Sequence, residues 1–364
     1  GYLALEVLSK AEAALENMSS EGREMLDGYV TGVNQFLGES GVDSLPGECA
    51  GADWVSELDA PGLMAYYLDV AMLAGSRNFI EAIASAAPPG TQAQSLSPDM
   101  GERREFGGAS NGIALGSQMT SSGRGVLLSN THLPWEGELR YHEVHLTLPG
   151  EFDAAGVTLS GVMGVLIGFN DSVAWTHTTS PSNQFVVYTL DLVPGNPTRY
   201  LFGEEERDMQ ATTYNIEVLQ ADGTLVEQSR TLYSSQYGPM LNPSDFGLAW
   251  TDTTGYAIFD INASNGTLTD TFRHMGQAGS VDELRKVFEN VGGVPWNHTM
   301  ATDKSGEVLY ADTTLVPNFS EKGEEVFREL VEGEGVSFTK LAFSAGVVVV
   351  DGSDSLFSID MDES

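Results

Sequence analysis

The spacing of apolar residues changes near residue 110 of this chain. Before it, Met25, Leu26, Tyr29, Val30, Val33, Phe36 and Leu37 fall on one face of a 3.6-residue repeat, which predicts an amphipathic helix. Ser19 or Ser20 stands where a hydroxyl side chain can cap the free amides of its first turn. Gly38–Pro46 reads as a loop and Ala60–Ala87 as a second helical stretch, stopped by Pro88-Pro89-Gly90. Residues 88–107 form a polar linker, low in apolar side chains and accessible to proteases.

After residue 110 the period becomes 2. Ile113–Gly116 and Val126–Ser129 read as strands joined by a turn at Ser122–Gly125. Tyr141–Leu148, Val157–Leu159, Val165–Phe169, Val173–Thr176 and Phe185–Leu190 continue the alternation. Ile216–Gln220 and Thr224–Glu227 flank Asp222-Gly223, a strong hairpin signal. Ser280–Val291 is helical, with Leu284, Val287 and Phe288 on one face; strands at Thr299–Thr302 and Glu307–Tyr310 follow, joined by a turn at Lys304–Gly306. No internal repeat is evident. Helices first, then many strands, give an α+β class.

Composition narrows the partners. The 364 residues can bury a sizeable core in one large or two ordinary domains. A net charge of −35 repels nucleic acid and anionic membrane surfaces, so neither is expected as a partner. Cys49 is the only cysteine, which excludes a disulfide within the chain. The most apolar run, Leu63–Gly75, is interrupted by Asp69 and falls short of the roughly 18 residues of a membrane-spanning helix. The chain opens at Gly1, without a methionine or a leader pattern, and is expected to begin within a longer fold.

Candidate chemistry starts at Ser110, in Phe106-Gly107-Gly108-Ala109-Ser110-Asn111-Gly112. A serine hydroxyl needs a base beside it, and no histidine or lysine is near in sequence. Cleavage of the Ala109–Ser110 bond would free an α-amine on the serine itself. Such an amine has a pKa of about 7.7–8.0, close to where a general base works best. Three further segments stand out: Asn130–Gly137, at the end of a strand that can return His132 to the serine; Gly168–Thr179, a strand, turn and strand; and Gly292–Thr299.

Asn130-x-His132-x-Pro134-Trp135-x-Gly137, Ile167-Gly168-Phe169-Asn170 with Ala174–Thr178, Pro295-Trp296, Tyr310-Ala311-Asp312 and Val316-Pro317 together resemble the penicillin acylase family. Leu146–Gly150 and Leu192–Tyr200 make the resemblance nearest to its acyl-homoserine-lactone and aculeacin-type branch. The resemblance implies an N-terminal-nucleophile hydrolase with a four-layer αββα sandwich, made as a precursor that loses a spacer and leaves an αβ heterodimer. Residues 1–88 then match the C-terminal part of the α-subunit, 89–109 the spacer, and 110–364 the N-terminal part of the β-subunit, with the αββα core incomplete. The implied activity removes an acyl chain from a small acylated amine, without a cofactor, in the periplasm or outside the cell. A penicillin, cephalosporin or lipopeptide acylase is the alternative within the class. An uncleaved chain, its Ser110 amine blocked, would be an inactive binding module.

The same resemblance assigns roles. Ser110 matches the nucleophile and base, His132 a histidine that orients the amine, and Thr179 a backbone N–H of the oxyanion hole. The family's second oxyanion donor is an asparagine two residues after the tryptophan; here that position holds His298, and Asn297 sits one place earlier. A one-residue shift on a strand turns a side chain to the other face. Either His298 donates, or a bulge brings Asn297 round. Leu133, Trp135, Leu159, Val162, Met163, Ile167 and Trp296 match positions lining an apolar acyl pocket, which favours an aliphatic or aromatic acyl group.

Other signals carry less. His142 and His145 lie three apart on a strand and point to opposite faces, against a shared metal. Calcium occurs in some relatives, but the acidic tail from Asp351 lacks the spacing of a calcium loop. N-terminal sequencing of the expressed full-length polypeptide is expected to find a chain beginning Ser110-Asn111-Gly112; recovery of only uncut Ala109–Ser110 chains would contradict the processing scheme.

Overall fold

The computed structural model describes residues 2–91, 110–242 and 248–359. Ala109 and most of the expected spacer lie outside the described residues.

The first segment is helical, as its periodicity requires. α1 (Val7–Glu16) precedes α2 (Ser20–Ser40), whose N-cap is Ser19, its hydroxyl accepting from the Gly22 N–H at 2.9 Å. α2 runs past Gly38, where a loop was expected, and stops at Gly41, whose φ of 72° favours glycine. The expected helix over residues 60–87 is broken into α3 (Ala60–Ala71), a 3₁₀ turn at Ser76–Phe79 and the short α4 (Ile80–Ala84). The cause is distant in sequence. The buried Asp260 carboxylate accepts from Ser76 N–H at 2.7 Å and Ser76 Oγ at 2.8 Å, and Gly75 leaves it no side chain to displace.

The strands follow. β1 (Ser110–Leu115) and β2 (Val126–Thr131) form a separate antiparallel hairpin. β3 (Tyr141–Leu148), β4 (Phe152–Leu159), β5 (Ile167–Phe169), β6 (Val173–Thr179) and β7 (Phe185–Val193) come next. β8 (Asn196–Phe202), β9 (Glu205–Asp208), β10 (Gln210–Leu219), β11 (Leu225–Ser235), β12 (Gly238–Leu241) and β13 (Thr254–Asp260) continue the chain. α5 (Leu268–Gln277) and α6 (Val281–Asn290) lead into β14 (Asn297–Asp303) and β15 (Val308–Asp312). α7 (Glu321–Glu332), α8 (Phe338–Ser344) and β16 (Val348–Asp351) follow, with a 3₁₀ turn at Ser355–Phe357 after them.

These strands build two large sheets. One has six strands in the order β15-β14-β6-β5-β4-β3; the other has eight, β10-β11-β12-β13-β7-β8-β9, with β16 joined in parallel to β7. β7 shows why its sequence is apolar at nearly every position. Phe185 and Val187 face the core shared with Leu68, Met72 and the other helical residues, whereas Val186, Tyr188 and Leu190 face a second core with Tyr237, Trp250 and Phe357. Tyr188 stacks on Tyr237 at 3.7 Å between ring centroids.

The six-stranded sheet positions the candidate site. Its odd-numbered residues on β6 and β14 face helices: His177 meets Phe272 of α5 edge-on at 6.2 Å. Its even-numbered residues there face the β1–β2 hairpin. Ser129 and Thr176 hydroxyls lie 2.7 Å apart, and Gly125 N–H and Ser117 N–H donate to the carbonyls of Asp303 (3.2 Å) and Gly306 (3.0 Å). The hairpin sits this close because Gly112 and Gly125 lack side chains. A Cβ on Gly112 would run into Met300 and Thr176, and one on Gly125 would lie 2.6 Å from the Asp303 carbonyl oxygen. Helices, sheet and hairpin thus supply three layers of the expected four-layer arrangement. The hairpin's other face is open, with Ile113 53% and Leu128 51% exposed.

Gly125→Ala is expected to lower stability by about 1–3 kcal/mol through overpacking against backbone that cannot move aside. Thermal melting of the variant beside the native chain measures it; an unchanged midpoint would show that the hairpin does not depend on this contact.

Candidate active site

Ser110 is the first residue of β1 and pairs with Thr131, so the return strand ends beside it and delivers His132. The Asn111 amide Nδ2 lies 3.2 Å from His132 Nε2. His132 itself is exposed. Its loop is tied to the helical segment by Arg77, which meets Glu138 Oε1 at 2.8 Å and Asp69 Oδ2 at 3.0 Å. Burial pushes the Asp69 carboxyl upward, and the Arg77 guanidinium opposes that rise.

Strand alternation decides which way Ser110 looks. A Cβ on Gly112 would point at Met300 and Thr176, so the side chain of Ser110, two residues earlier on the strand, faces the same sheet. Along β1, Gly116 approaches Gly306 and Gly112 approaches Met300. β1 therefore runs in the direction of β14, and Ser110 lies toward the end of the sheet that carries Thr178 and His298.

At that end the ladder is regular. Thr179 pairs with Asn297 and Thr178 with His298, with no register shift through to Val173 and Asp303. His298 shares the hairpin-facing side with Met300 and Thr302, while Asn297 shares the helix-facing side with Thr299. The Asn297 amide Nδ2 donates back to the Pro295 carbonyl at 2.8 Å. Trp296, just before, holds a left-handed φ of 47°, fixed by its indole N–H to the Val70 carbonyl at 3.1 Å and by Ser180 N–H to its own carbonyl at 2.9 Å. Because Ser180 N–H points at β14, the neighbouring Thr179 N–H points away from it, past the short β5.

His298 makes its ring contacts through Nδ1, with Tyr310 Oη at 3.2 Å and Asp312 Oδ2 at 3.6 Å. That carboxylate oxygen also accepts from Ser180 Oγ and Ser182 Oγ, each at 2.7 Å. Burial works to raise the Asp312 carboxyl, but the hydrogen bonds from Ser182, Ser180 and Thr314 outweigh it and hold the group below its ordinary range. Neither serine was singled out from sequence, and Asp312 only as part of a motif. Extending the β14–β15 hairpin beyond the expected strands would have brought Asp312 opposite His298.

The residues matched to an acyl pocket do not gather in one place. Leu159, Val162 and Met163 line a cavity of about 240 Å³ with Met25 and Tyr29 of α2 and Val144 of β3. That cavity is on the helix-covered side of the sheet, whereas Ser110 faces the other side. Ile167 and Trp296 are buried, Leu133 is half-buried, and Trp135 stands 91% exposed; none of the four lines this cavity. His142 does line it, and His145 turns the other way to pair with Asp153 at 2.7 Å. Among the described residues no group of three or more His, Cys, Asp or Glu is placed to hold a metal, and no helix is long and apolar enough to cross a membrane.

Comparison with known proteins agrees with this architecture. The penicillin amidase family model matches residues 2–360, and the chain belongs to that family. It is 34% identical over 352 residues to the acyl-homoserine lactone acylase PvdQ of Pseudomonas fluorescens (strain Pf0-1), covering 94% of this chain and 43% of that protein. It is 34% identical over 344 residues to aculeacin-A acylase of Actinoplanes utahensis, covering 92% and 42%. The chain thus spans less than half the length of these curated relatives. The solved structure of a thermostable penicillin G acylase from Alcaligenes faecalis superposes with a TM-score of 0.51 at 18% identity, over 70% of this chain and 40% of that one, which shows the shared fold.

Buried His177, on the helix side, is pushed down to about 4 by loss of hydration and is neutral near pH 7. Its folded value lies below its unfolded one, so the unfolded chain takes up the proton first. The stability this contributes is complete above about pH 6.5 and is lost as pH falls toward 4, on the order of 3 kcal/mol in all. Denaturant melts between pH 7 and 4 are expected to show that slope and His177→Gln to flatten it; an equal slope in the variant would assign the acid sensitivity elsewhere.

Proposed function

We propose that this chain carries the nucleophile-bearing part of an amide hydrolase that removes the acyl chain from an N-acyl amine, such as an N-acyl-homoserine lactone. The observation that carries the reading is the placement of Ser110. It begins β1, follows a linker suited to cleavage, and faces the end of a sheet where Thr179 and His298 adjoin. Membership of the family and the names of the two acylase relatives support the reaction class.

In this reading the Ala109–Ser110 bond is cut and the new α-amine takes the proton of the Ser110 hydroxyl as it attacks the amide carbonyl. His132, held at Asn111, orients that amine. Negative charge on the tetrahedral oxygen is met by the Thr179 N–H and by a side chain from the Asn297–His298 segment. Loss of one such donor typically costs about 2.7–4 kcal/mol of barrier. The proton returns to the leaving amine, and water activated by the same α-amine releases the acyl group from the serine ester. The two cleaved segments remain together as a heterodimer, bound through the shared helical core and the Arg77–Glu138 pair.

Ser110→Ala in the full-length polypeptide is expected to stay uncut at Ala109 and to lose hydrolysis of acyl amides by roughly 10⁴-fold or more. Mass spectrometry reads the first effect. Turnover of octanoyl-, dodecanoyl- and phenylacetyl-amides reads the second and ranks the acyl groups. A variant that still matures and still hydrolyses would sink the proposal.

A further inference from the structure

We propose that the Thr131 hydroxyl is a further catalytic group, passing the proton between the Ser110 hydroxyl and the Ser110 α-amine. The inference rests on the acylase reading above and adds to it one residue and a proton path. It starts from the geometry of a serine that serves as its own base. The hydroxyl and the amine sit on adjacent carbons, so a proton passed directly between them closes a five-membered ring. That ring bends O–H···N far from the nearly straight arrangement, above about 150°, that a hydrogen bond prefers. A third group that touches both atoms removes the constraint.

The β1–β2 ladder supplies one. Thr131 is the residue directly opposite Ser110. Opposed residues of an antiparallel pair turn their side chains to the same face, with Cβ atoms about 4.5–5.5 Å apart. For Ser110 that face is the one toward the six-stranded sheet, so both hydroxyls enter the gap between hairpin and sheet, where both residues are half-buried. Another hairpin of this chain shows how close such a pair comes. Thr213 and Thr231 are directly opposed on β10 and β11, and their hydroxyls lie 2.8 Å apart. The sheet also offers Thr131 a support. β2 runs alongside β6 in the same direction, since Gly125 lies against Thr302, the partner of Ala174, and Ser129 meets Thr176 at 2.7 Å. The next step along both strands brings Thr131 toward Thr178. His132 serves the other side, where it reaches Asn111 on the open face of the hairpin.

A hydroxyl suits this task because it carries one proton to give and two lone pairs to receive another. As Ser110 Oγ bonds to the amide carbonyl carbon, its proton passes to Thr131 Oγ1, and the proton that Thr131 held passes to the amine. Thr131 ends as it began, neutral and with one proton, while the amine has become an ammonium. The C–N bond then breaks, and the ammonium hands its extra proton to the departing nitrogen. In deacylation the amine takes a proton from the attacking water. It returns that charge through Thr131 to Ser110 Oγ as the ester bond breaks. The α-amine remains the base throughout, and Thr131 gives it a straight path to the hydroxyl.

The test compares Thr131→Val, which keeps the branched shape and removes the hydroxyl, with Thr131→Ser, which keeps the hydroxyl. Both are made in the processed full-length enzyme, with kcat and KM measured on a slow acyl amide whose acylation limits turnover. Thr131→Val is expected to lower kcat about 10-fold or more, with KM within about twofold and the melting midpoint unchanged. Thr131→Ser is expected to stay within about threefold of the native kcat. The native enzyme carries a second measurement that needs no variant. With two protons in flight, kcat in mixtures of ordinary and heavy water falls along a bowed curve; with one it falls along a straight line. Should neither variant mature, that plot decides. An unchanged kcat in Thr131→Val, equal losses in both variants, or a straight plot would overturn the relay while leaving Ser110-dependent turnover intact. An uncut Thr131→Val chain beside a cut Thr131→Ser chain would also overturn it, by assigning the hydroxyl to maturation. Absence of any Ser110-dependent turnover would overturn the acylase reading and the relay with it.

Discussion

The site depends on how closely the β1–β2 hairpin can approach the six-stranded sheet. Ser110 opens β1, so its position follows that of the hairpin. Glycines at 112 and 125 bring hairpin and sheet backbones together, and the Ser129–Thr176 hydroxyl pair satisfies two polar groups in the gap. Backbone donors at Ser117 and Gly125 then fix the sliding register against the β14–β15 turn. A bulkier residue at either glycine would lift the serine away from the end of the sheet that carries His298 and Thr178.

Candidate site groups on the two sides of this contact come from different physical sources. On the hairpin side they are local: a serine, its neighbour Asn111, and the His132 that the return strand delivers. On the sheet side they come from the antiparallel ladder, which sets Thr179 against Asn297 and His298 against Asp312. The strained backbone at Trp296 joins these to the helical segment through Val70. Arg77 makes a second link from the same segment to the loop after His132. Both links cross the stretch where cleavage is expected, and both are noncovalent.

Period-2 and period-3.6 patterning made the general arrangement legible: helices before residue 91, strands after 110, and the Asp222-Gly223 hairpin. The break at Ser76 was not legible, because the Asp260 that causes it lies far along the chain and reads there as an ordinary polar residue. α5 was missed, although it packs on β4 and its Phe272 meets His177 of β6. Its two buried threonines and Asp270 masked an apolar stripe that burial makes plain. For the acyl pocket, hydrophobic identity could not say which side of the sheet each residue serves. Leu159, Val162 and Met163 belong to a cavity under α2, and Trp135 reaches solvent.

Sequence alone determined the candidate nucleophile, the polar linker before it and the family, because each is written in residues whose chemistry or order is recognisable without a fold. It also posed the choice between Asn297 and His298 but gave no means of making it. That choice is a matter of facing, and facing is set by pairing with a strand more than a hundred residues earlier. The ladder between β6 and β14 is regular, so His298 turns toward the hairpin, and only the pairing with β15 puts Asp312 beside its ring.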